Sequence, residues 1–204
     1  ALPISRGTEN ADGDNQKALD VLADEIIKAA LAEQPLVATY LSEEQDAAIS
    51  LYDDGMVIVA SDPLDGSSNI DTNVSIGTIF SILPADGGHL QPGSKQIAAG
   101  FFVYGPQTTL LVSFGGPVMA FQLDSDGQFH DMGWAVTIPE TTNEFAINAS
   151  NQRHWHDDVG AYIADCLAGV AGPRHVNFNM RWVGSLVADG WRIFRRGEIG
   201  RAHV

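Results

Sequence analysis

The spacing of apolar residues changes along the chain and separates helical stretches from a strand-rich stretch. Near the start, apolar residues recur at the interval of an α-helix. Asp14 can cap this predicted helix and Pro35 ends it. Its apolar face would consist of Leu19, Leu22, Ile26 and Ala29 or Ala30.

Short apolar runs bounded by turn residues follow this helix. The runs 36–41 and 56–60 predict buried strands, and each is followed directly by acidic residues. Turns containing Gly, Pro and Asp then separate four further predicted strands, at 75–83, 97–104, 109–114 and 118–123.

Helical spacing returns in the last third of the chain. We expect helices over 156–167 and 182–194 and a short strand at Val176. A helix, a run of strands and then further helices predict a layered α/β fold, incomplete at both ends. We place a boundary after Ala146, between an N-terminal half (1–146) and the start of a C-terminal half (147–198).

Composition and charge exclude several classes of protein. The 204 residues are 45% hydrophobic and 18% charged, which gives enough apolar surface for a core. A net charge of −15 argues against nucleic-acid binding, and no apolar run is long enough to span a membrane. A single cysteine, Cys166, excludes an intramolecular disulfide, and we expect a cytoplasmic protein.

The most informative feature is the acidic segment after the predicted strand 56–60. Asp62 and Asp65 flank a Pro-Leu step, and a turn there would bring both carboxylates to one hard cation. The residues 66–69 could begin a helix whose backbone N–H groups bind phosphate. Metal ligands beside a phosphate cradle are what metal-assisted phosphoryl transfer requires. The alternative is an acidic turn in which Asp65 caps a helix.

A second acidic pair, Glu43 and Glu44, follows the other predicted strand end. It could complete a magnesium site with Asp62 and Asp65, because magnesium uses few carboxylates together with water and phosphate oxygens. The alternative is a solvated helix N-terminus capped by Ser42. His154 and His156 lack an acidic or cysteine partner at suitable spacing, so we expect no zinc site there.

The segment Asp62–Asp71 and its continuation Val74–Phe80 resemble the signature of class 1 fructose-1,6-bisphosphatases. The Asp-Pro-Leu-Asp-Gly-Ser core is shared with the wider family of magnesium-dependent, lithium-sensitive sugar and inositol phosphatases. Segments from Gly13 to Asp189 agree in the same order, and the resemblance is greatest to bacterial members.

The resemblance implies roles for individual residues. Glu43, Asp62, Asp65 and the carbonyl of Leu64 would bind two or more Mg²⁺ ions. The attacking water would be oriented and deprotonated by Glu44 and Asp20, and Asp14 would help complete the active state. The substrate-binding set would be Asp65, Gly66, Ser67, Ser68, Asn148, Arg181 and Trp182, with Asn148 on the second phosphate and Arg181 in the neighbouring subunit's site.

The implied activity is hydrolysis of the 1-phosphate of fructose 1,6-bisphosphate by metal-activated water, without a phosphoenzyme. The resemblance also implies an enzyme of carbohydrate metabolism, in gluconeogenesis or the Calvin cycle, that assembles as a homotetramer. Sedoheptulose-1,7-bisphosphatase activity, alone or in addition, is an alternative, and an inactive fragment is another.

The sequence also departs from the family pattern. A late magnesium-ligand Glu and a Lys and Tyr that bind substrate do not occur before position 197, and Trp182 has no hydroxyl to offer a sugar. Met56 and Val57 replace a Lys-Tyr pair that binds AMP in animal enzymes, so we expect no AMP inhibition through that contact. One reading frame of a sequencing adapter would encode residues 199–204, so we expect those residues to be non-native.

Overall fold

The structure is a computed structural model that describes residues 18–134, 136 and 138–196, together with the backbone of Ile199–Gly200. Its chain divides into two compact units, residues 1–135 and 136–204. The boundary predicted after Ala146 lies within the second unit. Among the described residues, no helix combines the length and the apolar character needed to cross a bilayer.

In its described residues, the first unit is a mixed sheet of eight strands with one α-helix. The helix is α1 (Ala18–Ala32), and the strands are β1 (Val37–Ser42), β2 (Ile49–Ser50), β3 (Val57–Asp65), β4 (Ile76–Pro84), β5 (Ala98–Tyr104), β6 (Thr108–Ser113), β7 (Met119–Leu123) and β8 (Phe129–Asp131). Their order is β2-β1-β3-β4-β5-β6-β7-β8. Strands β1 and β3 are parallel, and all other neighbours in this sheet are antiparallel.

The predicted strands of this unit are confirmed, because Gly, Pro and Asp turns separate them as expected. The prediction for the apolar face of α1 is wrong. Leu22 and Ile26 are exposed, whereas Asp20 and Asp24 are buried on the face toward the sheet. That face can bury carboxylates because Asp24 receives hydrogen bonds from the sheet side, as described below.

The core beneath α1 is formed by strands β1 and β3. Val37, Tyr40 and Val59 are buried there, and the helix residues Ile27 and Leu31 pack against them. This packing fixes the helix over the only parallel pair of strands among the described residues of the sheet.

Within its described part, the second unit contains two α-helices and a small parallel sheet. Its elements are β9 (Glu144–Ala146), α2 (Asp157–Leu167), β10 (Asn179–Met180), α3 (Leu186–Arg196) and β11 (Ile199–Gly200), with sheet order β10-β9-β11. Helix α2 confirms the prediction for 156–167. The other helix begins at Leu186 and not at Trp182, and the short strand lies at Asn179–Met180 and not at Val176.

The core of the second unit lies between β9 and α2. Phe145, Ile147, Ile163 and Cys166 are buried together, as expected for the single cysteine. The residues 197, 198 and 201–204 lie outside the described part, and the prediction that 199–204 are non-native stays a prediction.

Candidate active site

The two acidic pairs meet because β1 and β3 are parallel, so that their carboxyl ends lie at the same edge of the sheet. Ser42 is paired with Ser61, and the backbone N–H of Glu43 donates to the carbonyl of Ser61 at 3.1 Å. Glu43 and Glu44 therefore follow β1 beside the point where β3 carries Asp62. Neither acidic pair begins a helix, so the alternative of a solvated helix N-terminus at Glu43 is excluded.

The carboxyl group of Asp62 has a strongly raised pKa. Burial raises its pKa to about 8, and the nearby charges of Glu43 and Asp65 act in the same direction. The side chain of Asp62 hydrogen-bonds that of Glu43, which also favours the protonated form. The backbone N–H of Leu64, which donates to Asp62 Oδ1 at 2.9 Å, opposes these effects. Three carboxyl groups thus share a space that disfavours their combined negative charge.

A β-bulge places Asp65 next to this group. The pairing of β3 with β4 shifts register between Asp62 and Asp65, so β3 continues through Pro63 instead of ending before it. We predicted a turn from Pro63 and Gly66, and the part of that prediction that concerns Pro63 is wrong. Thr78 of β4 donates its hydroxyl to the carbonyl of Pro63 at 2.8 Å and in turn accepts the hydroxyl of Tyr104, which holds the bulged backbone.

The turn follows Asp65 immediately. Gly66 has φ 77°, a left-handed conformation that glycine adopts without the steric cost of a side chain. The residues Ser67–Asn69 then form one turn of 3-10 helix, in which the N–H groups of Asn69 and Ile70 donate to the carbonyls of Gly66 and Ser67. The predicted helix start is therefore a single turn, and Asp65 belongs to the strand and is not a helix cap.

The remaining predicted residues of the first unit lie near the same strands. Asp20 is buried in the first turn of α1, the helix that packs on β1 and β3. The backbone N–H of Glu44 donates to the hydroxyl of Ser42 at 3.2 Å. Asp14 lies outside the described residues.

The donor set can be compared with the needs of a metal ion. Within the described ranges, no three His, Cys, Asp or Glu side chains are already arranged to hold one. The chemistry of the acids nevertheless fits a hard cation, because a positive charge would replace the proton between Asp62 and Glu43 and would relieve the repulsion from Asp65.

The predicted substrate residues of the second unit make contacts within that unit. Asn148 caps a 3-10 helix, and its Oδ1 accepts the backbone N–H of Ser150 at 3.1 Å and the hydroxyl of the same serine. Arg181 Nε donates to the buried Glu144 at 2.7 Å, and Trp182 is half-buried. Glu144 was not predicted, because no local spacing connects it with an arginine 37 residues away. Substrate roles for these residues stay predictions.

Comparisons with known proteins agree on one family for both units. Residues 4–132 match the family model of the fructose-1-6-bisphosphatase N-terminal domain, and residues 138–200 match that of the C-terminal domain. A class 1 fructose-1,6-bisphosphatase of Cereibacter sphaeroides is 53% identical over 195 residues, which is 93% of this chain and 58% of the relative. One from Azorhizobium caulinodans is 56% identical over 204 residues, 95% of this chain and 62% of the relative.

A solved structure is also similar to the chain. The Leishmania major fructose-1,6-bisphosphatase in its holo form superposes with a TM-score of 0.83 at 31% identity, covering 91% of this chain and 61% of the other. The chain therefore spans about three fifths of the length of the relatives that it matches.

Proposed function

The chain belongs to the fructose-1,6-bisphosphatase family, and we propose that the protein hydrolyses the 1-phosphate of fructose 1,6-bisphosphate, giving fructose 6-phosphate and inorganic phosphate. The observation that carries this proposal is the meeting of Glu43, Asp62 and Asp65 at one sheet edge, with the Gly66 turn directly after them. Acids that attract cations beside a turn that offers backbone donors suit the transfer of a phosphoryl group to water.

The phosphate would be held at the turn after β3. The first N–H groups of a helical turn have no carbonyl acceptor within that turn, so those of Ser67 and Ser68 can bind phosphate oxygens. The left-handed Gly66 lets the chain reverse within one residue of Asp65. Phosphate and acids would thereby lie next to each other in sequence and in space.

The attacking water would be deprotonated by Glu44 and Asp20. A carboxylate within hydrogen-bonding reach of the water can accept its proton while the oxygen attacks phosphorus, and the bond from phosphorus to the sugar oxygen then breaks. A proton returned to the sugar oxygen completes fructose 6-phosphate. No side chain of the protein becomes covalently attached to phosphorus in this scheme.

A magnesium site is part of the same proposal. Glu43, Asp62, Asp65 and the carbonyl of Leu64 would hold Mg²⁺, which supplies charge neutralisation and a lower pKa for bound water. The raised pKa of Asp62 supports this assignment, because a positive charge nearby would stabilise the ionised form of the carboxyl group. The acids themselves would release their shared proton on binding the ion.

We also propose substrate-binding roles for three residues of the second unit. We include Asn148 at the second phosphate, Trp182 near the sugar, and Arg181 reaching the site of a neighbouring subunit in a homotetramer. The resemblance to the family supports these assignments. We also include a cytoplasmic location and a place in carbohydrate metabolism on the same basis.

The test is phosphate release by the purified complete protein. We compare the wild type with Asp65→Asn and with Asp86→Asn, which removes an exposed acid at the other end of β4. With fructose 1,6-bisphosphate and Mg²⁺, we expect activity in the wild type and Asp86→Asn and nearly none in Asp65→Asn.

Three results would count against the proposal. Near-wild-type phosphate release by Asp65→Asn would show that the active site is not the one assigned here. Faster release from sedoheptulose 1,7-bisphosphate at equal Mg²⁺ would reassign the substrate. No release from either sugar, with Mg²⁺ present and the protein folded, would indicate a binding or assembly role.

A further inference from the structure

A buried polar network lies between helix α1 and the acidic edge of the sheet. Its centre is Tyr40, which is fully buried in the middle of β1. Tyr40 donates its hydroxyl to Asp24 Oδ1 at 2.9 Å and lies 2.8 Å from the hydroxyl of Ser61. Because the phenol has one proton and gives it to the carboxylate, Ser61 must be the donor in the second bond. One hydroxyl group thus joins α1, β1 and β3.

The second oxygen of Asp24 holds the acidic turn. The side-chain amide of Gln45 donates to Asp24 Oδ2 at 2.5 Å, and Gln45 directly follows Glu43 and Glu44. Asp24 is 2% exposed, so water does not compete strongly for these bonds. The turn Glu43–Gln45 is therefore tied to the helix by a side-chain bond in addition to its backbone bonds.

The same turn is also held against both parallel strands. The backbone N–H of Glu43 donates to Ser61, the residue before Asp62, and the N–H groups of Glu44 and Gln45 both donate to Ser42. Every residue of the turn is thus bonded to the network or to its neighbours. A shift of the turn relative to β3 would break the bond from Glu43 to Ser61, and a shift relative to α1 would break the bond from Gln45 to Asp24.

We propose that Asp24, Tyr40 and Gln45 are positioning residues that hold the turn Glu43–Gln45 in register with Asp62, so that the acids from β1 and β3 meet. This inference rests on the proposed function for its catalytic consequence. Asp24 follows Asp20 by one helical turn on the same buried face, so the network also fixes the helix that carries the second predicted base. None of the three residues touches substrate in this proposal.

A purely structural role predicts a different result from a positioning role. Tyr52 offers a comparison at the far end of the helix, because its hydroxyl ties the segment after β2 to α1, donating to the carbonyl of Ala32 at 2.7 Å in a more exposed position. Removing either hydroxyl deletes one hydrogen bond to α1. Of the two, only the Tyr40 hydroxyl bonds to Asp24, the residue that also bonds to Gln45 of the acidic turn.

The variants are Tyr40→Phe, Gln45→Met and the control Tyr52→Phe, each in the complete protein. Gln45→Met keeps the side-chain length at a half-buried position outside the core, so it tests the proposal even if Tyr40→Phe folds poorly. The first readout is hydrogen exchange of the backbone N–H groups of residues 43–45, which needs neither substrate nor metal. We expect exchange to be about tenfold faster in Tyr40→Phe and Gln45→Met and unchanged in Tyr52→Phe.

The second readout separates kcat from KM for phosphate release. We expect kcat to fall about 10- to 100-fold in the two network variants with little change in KM, as is typical when residues supporting metal ligands are altered. Tyr52→Phe should keep the wild-type kcat. The proposal is overturned if Tyr40→Phe and Tyr52→Phe change hydrogen exchange or kcat to the same extent. It is also overturned if hydrogen exchange is unchanged in both network variants. If the wild type releases no phosphate, the proposed function fails, and the exchange comparison alone decides the positioning role.

Discussion

Asp62 should oppose folding stability in the absence of a cation, and replacing it should stabilise the protein while removing the proposed activity. Its pKa is about 8 in the folded state against an ordinary value of 3.8, with burial as the largest cause and Glu43 and Asp65 as the next. The folded protein therefore retains a proton that the unfolded chain has already released. Asp62→Asn mimics the protonated form at every pH.

The sign and size of the effect follow from this proton. Between pH 3.8 and pH 8 the folded state binds more protons at this site, so its contribution to stability declines as the pH rises. One proton corresponds to about 1.4 kcal/mol per pH unit, or about 2.7 kcal/mol between pH 5 and pH 7. Asp62 is half-buried, and solvent screening reduces this to about 1.5 kcal/mol.

The assay is urea unfolding of the complete protein in a chelator at pH 5 and pH 7. Between these two values, the wild type should lose about 1.5 kcal/mol of unfolding free energy relative to Asp62→Asn. Asp46→Asn, which removes an exposed acid from the same part of the chain, should behave like the wild type. Equal pH dependence in the wild type and Asp62→Asn would refute the assignment of the proton to this site.

Three further substitutions, followed by urea unfolding, test glycine packing in the first unit and an ion pair in the second. Gly100→Ala should lower the free energy of unfolding by about 1–3 kcal/mol, because the new Cβ would lie 2.5 Å from the carbonyl oxygen of Leu111. The control Gly116→Ala, whose Cβ would have nothing within 4 Å, should change it by less than about 0.5 kcal/mol. Equal effects of the two substitutions would contradict this packing. Glu144→Gln should lower the free energy of unfolding by about 1 kcal/mol, because it removes the charge that Arg181 contacts. The loss is modest since the arginine side chain is 46% exposed. An unchanged urea midpoint in low salt would show that the ion pair contributes nothing to stability.

The strand-rich part of the fold was predictable because its signals are local. Turn residues interrupt short apolar runs, and each run became one strand of the sheet, from β4 to β7. The pairing of β1 with β3 also brought the two acidic segments together as the sequence suggested. In a meander, consecutive strands pair with each other, so the order of the strands and the turns between them are enough to predict which strands are neighbours.

The errors concern residues whose environment is supplied from distant parts of the chain. Helical spacing identified α1 but assigned Leu22 and Ile26 to the buried face, because nothing local shows that Asp24 will meet Tyr40 and Gln45. Pro63 was placed in a turn because the residue type favours one. The strand continues through it, and Thr78 of the neighbouring strand donates its hydroxyl to the carbonyl of Pro63.

The network and the acidic cluster are two halves of one energetic arrangement. When all three are ionised, Asp62, Glu43 and Asp65 repel one another, and chain segments free to move would separate them. The backbone bonds to Ser61 and the side-chain bonds of Asp24 hold the acids together in spite of this repulsion. A site that attracts cations holds like charges close together. The bonds that keep its segments in place therefore have to come from neutral or buried groups outside it. Tyr40 satisfies that condition, because its own pKa is raised to about 12 by burial and it remains a neutral donor wherever the enzyme would work.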